Sequence, residues 1–265
     1  MTFAAATPDM AGDKIRFRFH KADELRLLSH HDLMRCTERM LRRAELPFKS
    51  TAGFHPLPRF VFASSLPLGI IALREVVELE LLRPMESEEV RDRLNRVSPI
   101  GLVFNEAKII PMKASAVPLR AIYQLPLPAD RVDETMSVAT ELMSSIQLWA
   151  DRLHPKPRRV NIRPYIRGIH VMAGFLNLDI WITQNGTAKA EEIIRSLGLY
   201  DLLEVGAVLV RTDLDIRDEA VQLNDLPPEG PPESAPLEHA PVGAEDDATT
   251  GSGTWGMSPN GPVVE

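Results

Sequence analysis

The sequence predicts an α+β fold of two tandem ferredoxin-like (βαββαβ) units followed by a disordered acidic tail. Three observations carry this. Residues 13–112 and 117–217 read with the same order of strand and helix periodicities. That order, β-α-β-β-α-β, is the split βαβ arrangement. Beyond Arg217 the composition changes abruptly to proline, glycine and acid.

The first unit opens with Lys14-Ile15-Arg16-Phe17-Arg18-Phe19, basic and apolar in strict alternation, the period of a half-buried strand. Ser29-His30-His31-Asp32 then reads as a capping box, with Ser29 as N-cap and an acid three positions on. The helix it starts runs to about Ala44, with Leu33, Thr37, Met40, Leu41 and Ala44 on one side. Strands follow at Arg59–Ala63 and Glu75–Leu82, then a helix carrying Val90, Leu94 and Val97, and a last strand Leu102–Ile110.

The second unit repeats the plan. Ala121–Leu125 reads as a strand, and Val132, Met136, Ala139, Met143 and Ile146 mark the buried side of a helix. Strands are expected at Arg158–Ile162 and Phe175–Ile182. Thr187 is placed to cap a helix with Ile193, Ile194 and Leu197, Gly198 to end it, and Ala207–Arg211 to close the unit.

Residues 1–12 read as a loose leader. The tail, 218–265, holds ten acidic groups and no Lys or Arg, and six prolines between Pro227 and Pro241, a signature of disorder. Without those ten charges the net charge of -7 becomes about +3 for the rest of the chain. An acidic tail of this kind could compete with RNA for basic faces.

Several function classes are excluded. No apolar run approaches the ~18 residues of a membrane span. The single cysteine, Cys36, allows no internal disulfide, and no Cys/His group has metal spacing, so no metal or cofactor is expected and a reducing, cytoplasmic setting is the simplest reading. Walker loop, GxGxxG, nucleophile elbow, paired catalytic carboxylates and an iron–sulfur CxxxCxxC are all absent, so no catalytic residue is named.

What remains is basic. Arg35, Arg39 and Arg42 recur at helical spacing on one face, with Arg43 beside them. Between Lys14 and Arg59 eleven Lys/Arg stand against five Asp/Glu. The pattern suits a phosphate-contacting stripe, or a solvated face paired to Glu38 and Glu45. Arg16 and Arg18 are expected to extend it. Around Arg152–Arg167, Arg159, Asn161 and Arg163 are expected to line a second basic face opposite Val160 and Ile162. Phe175 and Trp181 offer stacking surfaces, or ordinary packing. The loop Gly53-Phe54-His55-Pro56-Leu57-Pro58-Arg59 is stiffened by Pro56 and Pro58, turned by Gly53, and presents His55 and Arg59 to a phosphate, or His55 or His30 as a general acid or base.

The segments Arg26–Arg35, Gly53–Arg59 and Leu66-Pro67-Leu68-Gly69, with Asn161–Ile166 and Gly206–Leu214, resemble the radical SAM-linked protein family, a domain of unknown function. The resemblance covers residues 14–217. It implies a domain fused to, or encoded beside, a radical SAM protein with a cobalamin-binding-type domain, near genes for a ribonuclease of the E/G type and ribosomal proteins. The implied role is an accessory one in RNA or ribosome metabolism, with a radical SAM protein as partner, RNA as candidate ligand, and any radical chemistry in the partner. Tandem ferredoxin-like units also resemble the repeat-processing endoribonucleases of CRISPR systems, at the level of fold. The competing expectations are a metal-independent RNA-processing or RNA-modifying enzyme using His30 or His55, and a protein-interaction subunit that binds no RNA.

Overall fold

The computed structural model describes residues 12–219 and 227–236. Eleven strands and five α-helices are assigned among them. Their arrangement is α+β, with a sheet that is mostly antiparallel.

The first half runs β1 (Lys14–Lys21), α1 (His30–Arg43), β2 (Phe60–Phe62), β3 (Ile71–Glu80), α2 (Ser87–Val97) and β4 (Leu102–Ile110). β1 lies between β4 and β3, antiparallel to both, and β2 pairs antiparallel with the end of β3. The alternation of β1 turns Ile15, Phe17 and Phe19 to one side, where they join Leu33, Met40 and Leu41 of α1 and Val90 and Leu94 of α2 in a core. Phe17 and Phe19 both meet Phe104 of β4 with ring centroids 5.5 and 5.8 Å apart.

The second half runs β5 (Pro118–Pro126), α3 (Val132–Ser144), a hairpin of β6 (Trp149–Arg152) and β7 (Arg158–Asn161), β8 (Ile166–Met172), β9 (Phe175–Trp181), α4 (Ala190–Ser196), α5 (Tyr200–Glu204) and β10 (Val210–Ile216). Its strands order as β10-β5-β9-β8. A short parallel pairing, Val210 with Ile71 and Arg211 with Ala72, joins β10 to β3, so the two halves share one eight-stranded sheet. A segment beyond the second half, β11 (Ser234–Pro236), pairs with β7 to complete a separate three-stranded sheet.

Three expectations are corrected here. Arg158–Ile162 is not a strand of the main sheet. That position belongs to β8, which the sequence reading passed over because Pro164 and Tyr165, in a 3₁₀ turn, break the approach to it. Next, the expected inner face of α3 holds only in part: Val132, Ala139 and Met143 meet the core, with Thr135 buried beside them, whereas Met136 is half exposed and Ile146, past the helix end, is 89% exposed. Last, the ordered chain does not stop at Arg217. Asp218 and Glu219 form ion pairs with β1, and Glu233 accepts from the Asn161 amide at 2.8 Å. The leader expected at 1–12, apart from Gly12, lies outside the described residues, as do 220–226 and 237–265 of the tail.

Candidate nucleic-acid interface

Ser29 caps α1: its hydroxyl accepts from the Asp32 amide at 3.2 Å and donates to the Asp32 carboxylate at 2.7 Å. The cap fixes the phase of the helix. With Leu33, Thr37, Met40 and Leu41 turned inward, Arg35, Arg39, Arg42 and Arg43 stand exposed on the outside. Arg42 donates to Glu38 at 2.8 Å and lies 5.8 Å over the Phe48 ring, and Arg35 approaches Asp32 at 3.9 Å. Exposed pairs of this kind hold little energy, on the order of 0–1 kcal/mol, and release a guanidinium readily. Arg39 and Arg43 have no ion pair among the described residues.

The other expected contributors do not join this face. Arg16 and Arg18 point to the opposite side of the sheet, away from α1, because Ile15, Phe17 and Phe19 take the helix side. Neither is free for a phosphate: Arg16 is only 2% exposed. Its Nε and Nη2 donate to Glu78 at 2.9 and 2.7 Å, and its Nη1 donates to Asp218 and Glu219 at 2.8 and 2.9 Å. Arg18 reaches Glu219 at 2.5 Å, and Lys108 pairs with the same carboxylate. Burial alone would raise the Glu219 carboxyl, but the donors Lys108, Arg18 and Arg16 bring it down to about 2.

Arg59 also parts from α1. Phe60 and Phe62 pair with Leu79 and Val77 and turn to the core, so Arg59 falls with Glu80, to which it donates at 3.1 Å. The loop before it is a small hairpin, bridged from Ser50 to Pro58 and from the Thr51 amide to the Leu57 carbonyl at 2.8 Å. Gly53 has a φ of 135°, a conformation that side chains disfavour. Pro58 is buried and anchors the loop, while Pro56 and His55 are exposed and Phe54 at the tip is 102% exposed.

The second basic cluster is divided between structural and exposed members. Arg163 donates to the carbonyls of Ile166 and Met143 at 3.0 and 2.6 Å, tying the 3₁₀ turn to α3. Arg159 is exposed and donates to Asp151 at 3.0 Å. Asn161 is buried: its side-chain oxygen accepts from the amides of Leu148 and Arg163. Trp181 is buried beneath Arg167, whose guanidinium lies 5.5 Å from its ring, so of the two expected aromatics only Phe175 remains open to a base.

His30 packs edge-on against Phe62 with centroids 5.5 Å apart, and its Nδ1 is buried with no hydrogen-bond partner among the described residues. Burial, with His31 and Lys21 nearby, lowers its pKa. Neither His30 nor His55 hydrogen-bonds a carboxylate among the described residues. Among the described residues no group of three His, Cys, Asp or Glu side chains is placed to hold a metal, and no helix is long and apolar enough to cross a membrane.

A feature missed by sequence reading lies between the halves. Arg211, on β10, is 2% exposed and donates from Nε and Nη2 to the two carboxylate oxygens of Glu75, on β3, at 2.5 Å each. A cavity of about 490 Å³ opens beside this pair. The local signal was slight: β3 carries three Glu and β10 one Arg beside two Asp, and nothing in either strand marks Glu75 and Arg211, 136 positions apart, as partners.

The model of the DUF2344 family, described as an uncharacterized protein conserved in bacteria, matches residues 14–195. The chain belongs to this family. No curated protein matches it. Among solved structures, it is similar to the crystal structure of a Cbf5-Nop10-Gar1 complex at 12% identity, with a TM-score of 0.37. The alignment covers 80% of this DUF2344 chain and 55% of that one, and the likeness is too slight to carry an argument.

Proposed function

We propose that this DUF2344 protein is a non-catalytic RNA-binding accessory module that works with a radical SAM partner in RNA or ribosome metabolism. The observation that carries the RNA reading is the outer face of α1, where Arg35, Arg39, Arg42 and Arg43 are exposed and at most weakly paired. Four guanidinia on one rigid helix suit a run of phosphates. The radical SAM partner rests on the resemblance of the Arg26–Arg35, Gly53–Arg59 and Leu66–Gly69 segments, and the exposed Phe54 tip is the part of the surface best shaped to anchor a protein. We read each half as a ferredoxin-like unit: the strand orders β4-β1-β3-β2 and β10-β5-β9-β8 follow the same plan. The enzymatic alternative rests on His30 or His55 as a general acid or base; among the described residues neither hydrogen-bonds a carboxylate.

The test is a pull-down of the full chain from native lysate, with sequencing of bound RNA and mass spectrometry of bound protein. Binding of a recovered RNA is then measured against salt for the wild type and for Arg35→Ala with Arg39→Ala. Loss of two phosphate contacts should flatten the slope of log K against log salt by ~1.4 for a single strand. An unchanged affinity and slope in the folded double variant sinks the RNA reading.

A further inference from the structure

The cavity between the halves is built differently from a packing defect. Its inner end is formed by buried residues, Arg211 and Tyr123 among them, and its mouth by exposed ones, Ser65, Pro67, Lys189 and Glu191. The walls between are apolar: Ile70, Ala121, Ile180, Ile182 and Ala190. Apolar walls with a few convergent polar groups are the usual makeup of a small-molecule site, and the volume falls within the range of such sites, roughly 300–1,000 Å³.

The polar groups at the inner end are fixed in advance. Glu75 holds two nitrogens of Arg211, which locks the plane of the guanidinium. The third, Nη1, has only long contacts, 3.4 Å to the Ser64 hydroxyl and 3.5 Å to the Tyr123 hydroxyl. Ser64 and Tyr123 line the same cavity; the Ser64 hydroxyl donates to the Ser65 carbonyl at 3.2 Å, so Arg211 Nη1 and the Tyr123 hydroxyl are the donors left to face it.

The charge around this end does not balance. Lys21 is fully buried and lies within the electrostatic reach of both Glu75 and Arg211. Its ammonium donates only to the carbonyls of Arg26 and Leu28, at 3.4 and 3.3 Å. Two buried basic groups thus share one carboxylate; burial lowers the pKa of Lys21, and a nearby anion would favour its charged form. Lys189 and Glu191 at the mouth offset each other. An anion entering the cavity would supply the missing charge. Three of the segments singled out in the sequence meet here: the carbonyls of Arg26 and Leu28, the turn with Pro67, and Arg211.

We propose that this cavity binds a small organic anion, an apolar body ending in one carboxylate or equivalent oxyanion, with the anionic end on Arg211 Nη1 and the Tyr123 hydroxyl. The site is separate from the arginine face of α1 and needs no RNA.

The test uses the full chain with the fluorescent probe anilinonaphthalene sulfonate. It should bind with one-to-one stoichiometry and be displaced by benzoate at least ~10-fold better than by benzyl alcohol, since the alcohol lacks the charge-assisted bond. Tyr123→Phe, which keeps the ring, should weaken benzoate roughly 3- to 10-fold and leave benzyl alcohol unchanged. Ile182→Trp, at a half-buried wall position, should block both while circular dichroism shows the chain folded. Equal displacement by acid and alcohol overturns the proposal, and so does probe binding that survives Ile182→Trp. Failure of RNA binding in the separate salt titration leaves these readings untouched.

Discussion

Arg211 and Glu75 face each other across the joint between β10 and β3, the only parallel pairing among the strands described, with both guanidinium–carboxylate contacts at 2.5 Å. Both side chains are almost fully buried. Burial alone would lower the pKa of Arg211, but Glu75 more than reverses this and holds the guanidinium charged. Replacing one partner of such a pair leaves the other charge stranded. Glu75→Gln should therefore lose about 3–5 kcal/mol of stability in urea unfolding. Glu75→Leu with Arg211→Met should recover only part of that loss, because it removes both charges of the pair but leaves buried Lys21 without its carboxylate.

A second prediction concerns acid. The folded-state pKa of Glu219, about 2, lies below its ordinary 4.5, so the unfolded chain binds the proton more readily. The stability contributed by Glu219 is then complete above about 4.5 and disappears as pH falls toward 2. At pH 7 Glu219→Gln should unfold at lower temperature than the wild type. The gap between the two melting temperatures should narrow steadily between pH 5 and pH 3. A constant gap would show that the ion pairs with Arg16, Arg18 and Lys108 contribute nothing through charge.

His30 has the same sign for a different reason. Burial, then His31 and Lys21, lower its folded pKa below the ordinary 6.5. Its contribution is present above that value and falls away as pH drops below it. His30→Phe keeps a ring against Phe62 and removes the titrating group. The variant should show a flatter melting temperature between pH 7 and pH 5 than the wild type, and a higher one than the wild type at pH 5.

The turn into β4 gives a backbone test. Gly101 has a φ of 89°, and a Cβ there would lie 2.6 Å from the Ala22 carbonyl oxygen. The Gly101 carbonyl in turn accepts from the Ala22 amide at 2.8 Å. Gly101→Ala should cost about 1–3 kcal/mol, read by urea unfolding, with no change in the arginine face.

The strand and helix periods of the first half were legible because each element there buries one face. Lys14–Phe19 and the helix capped by Ser29 are found where the sequence puts them. What the alternation of β1 could not reveal is that its polar face is also covered. Arg16 and Arg18 read as solvent-facing until Asp218 and Glu219 arrive from two hundred positions away. Such partners leave no mark in a local window. The same holds for the cavity, whose lining comes from β5, β9, β10, the start of α4 and two loops. In the second half a hairpin of two four-residue strands, β6–β7, stands in the sequence where a strand of the main sheet was expected, and period alone does not say which sheet a strand joins.

The joining of Ile71 and Ala72 to Val210 and Arg211 also sets a schedule for synthesis. The ribosome delivers β3 long before β10, so on a nascent chain that edge of β3 stands unpaired and Glu75 has no guanidinium. Contacts this remote in sequence form late and slowly. Until they form, the emerging first half presents a strand edge open to other chains, the kind of surface that chaperones cover. A message truncated before Val210 would yield a product that lacks both the seam and the cavity. Completion of β10 is thus the step that closes the main sheet.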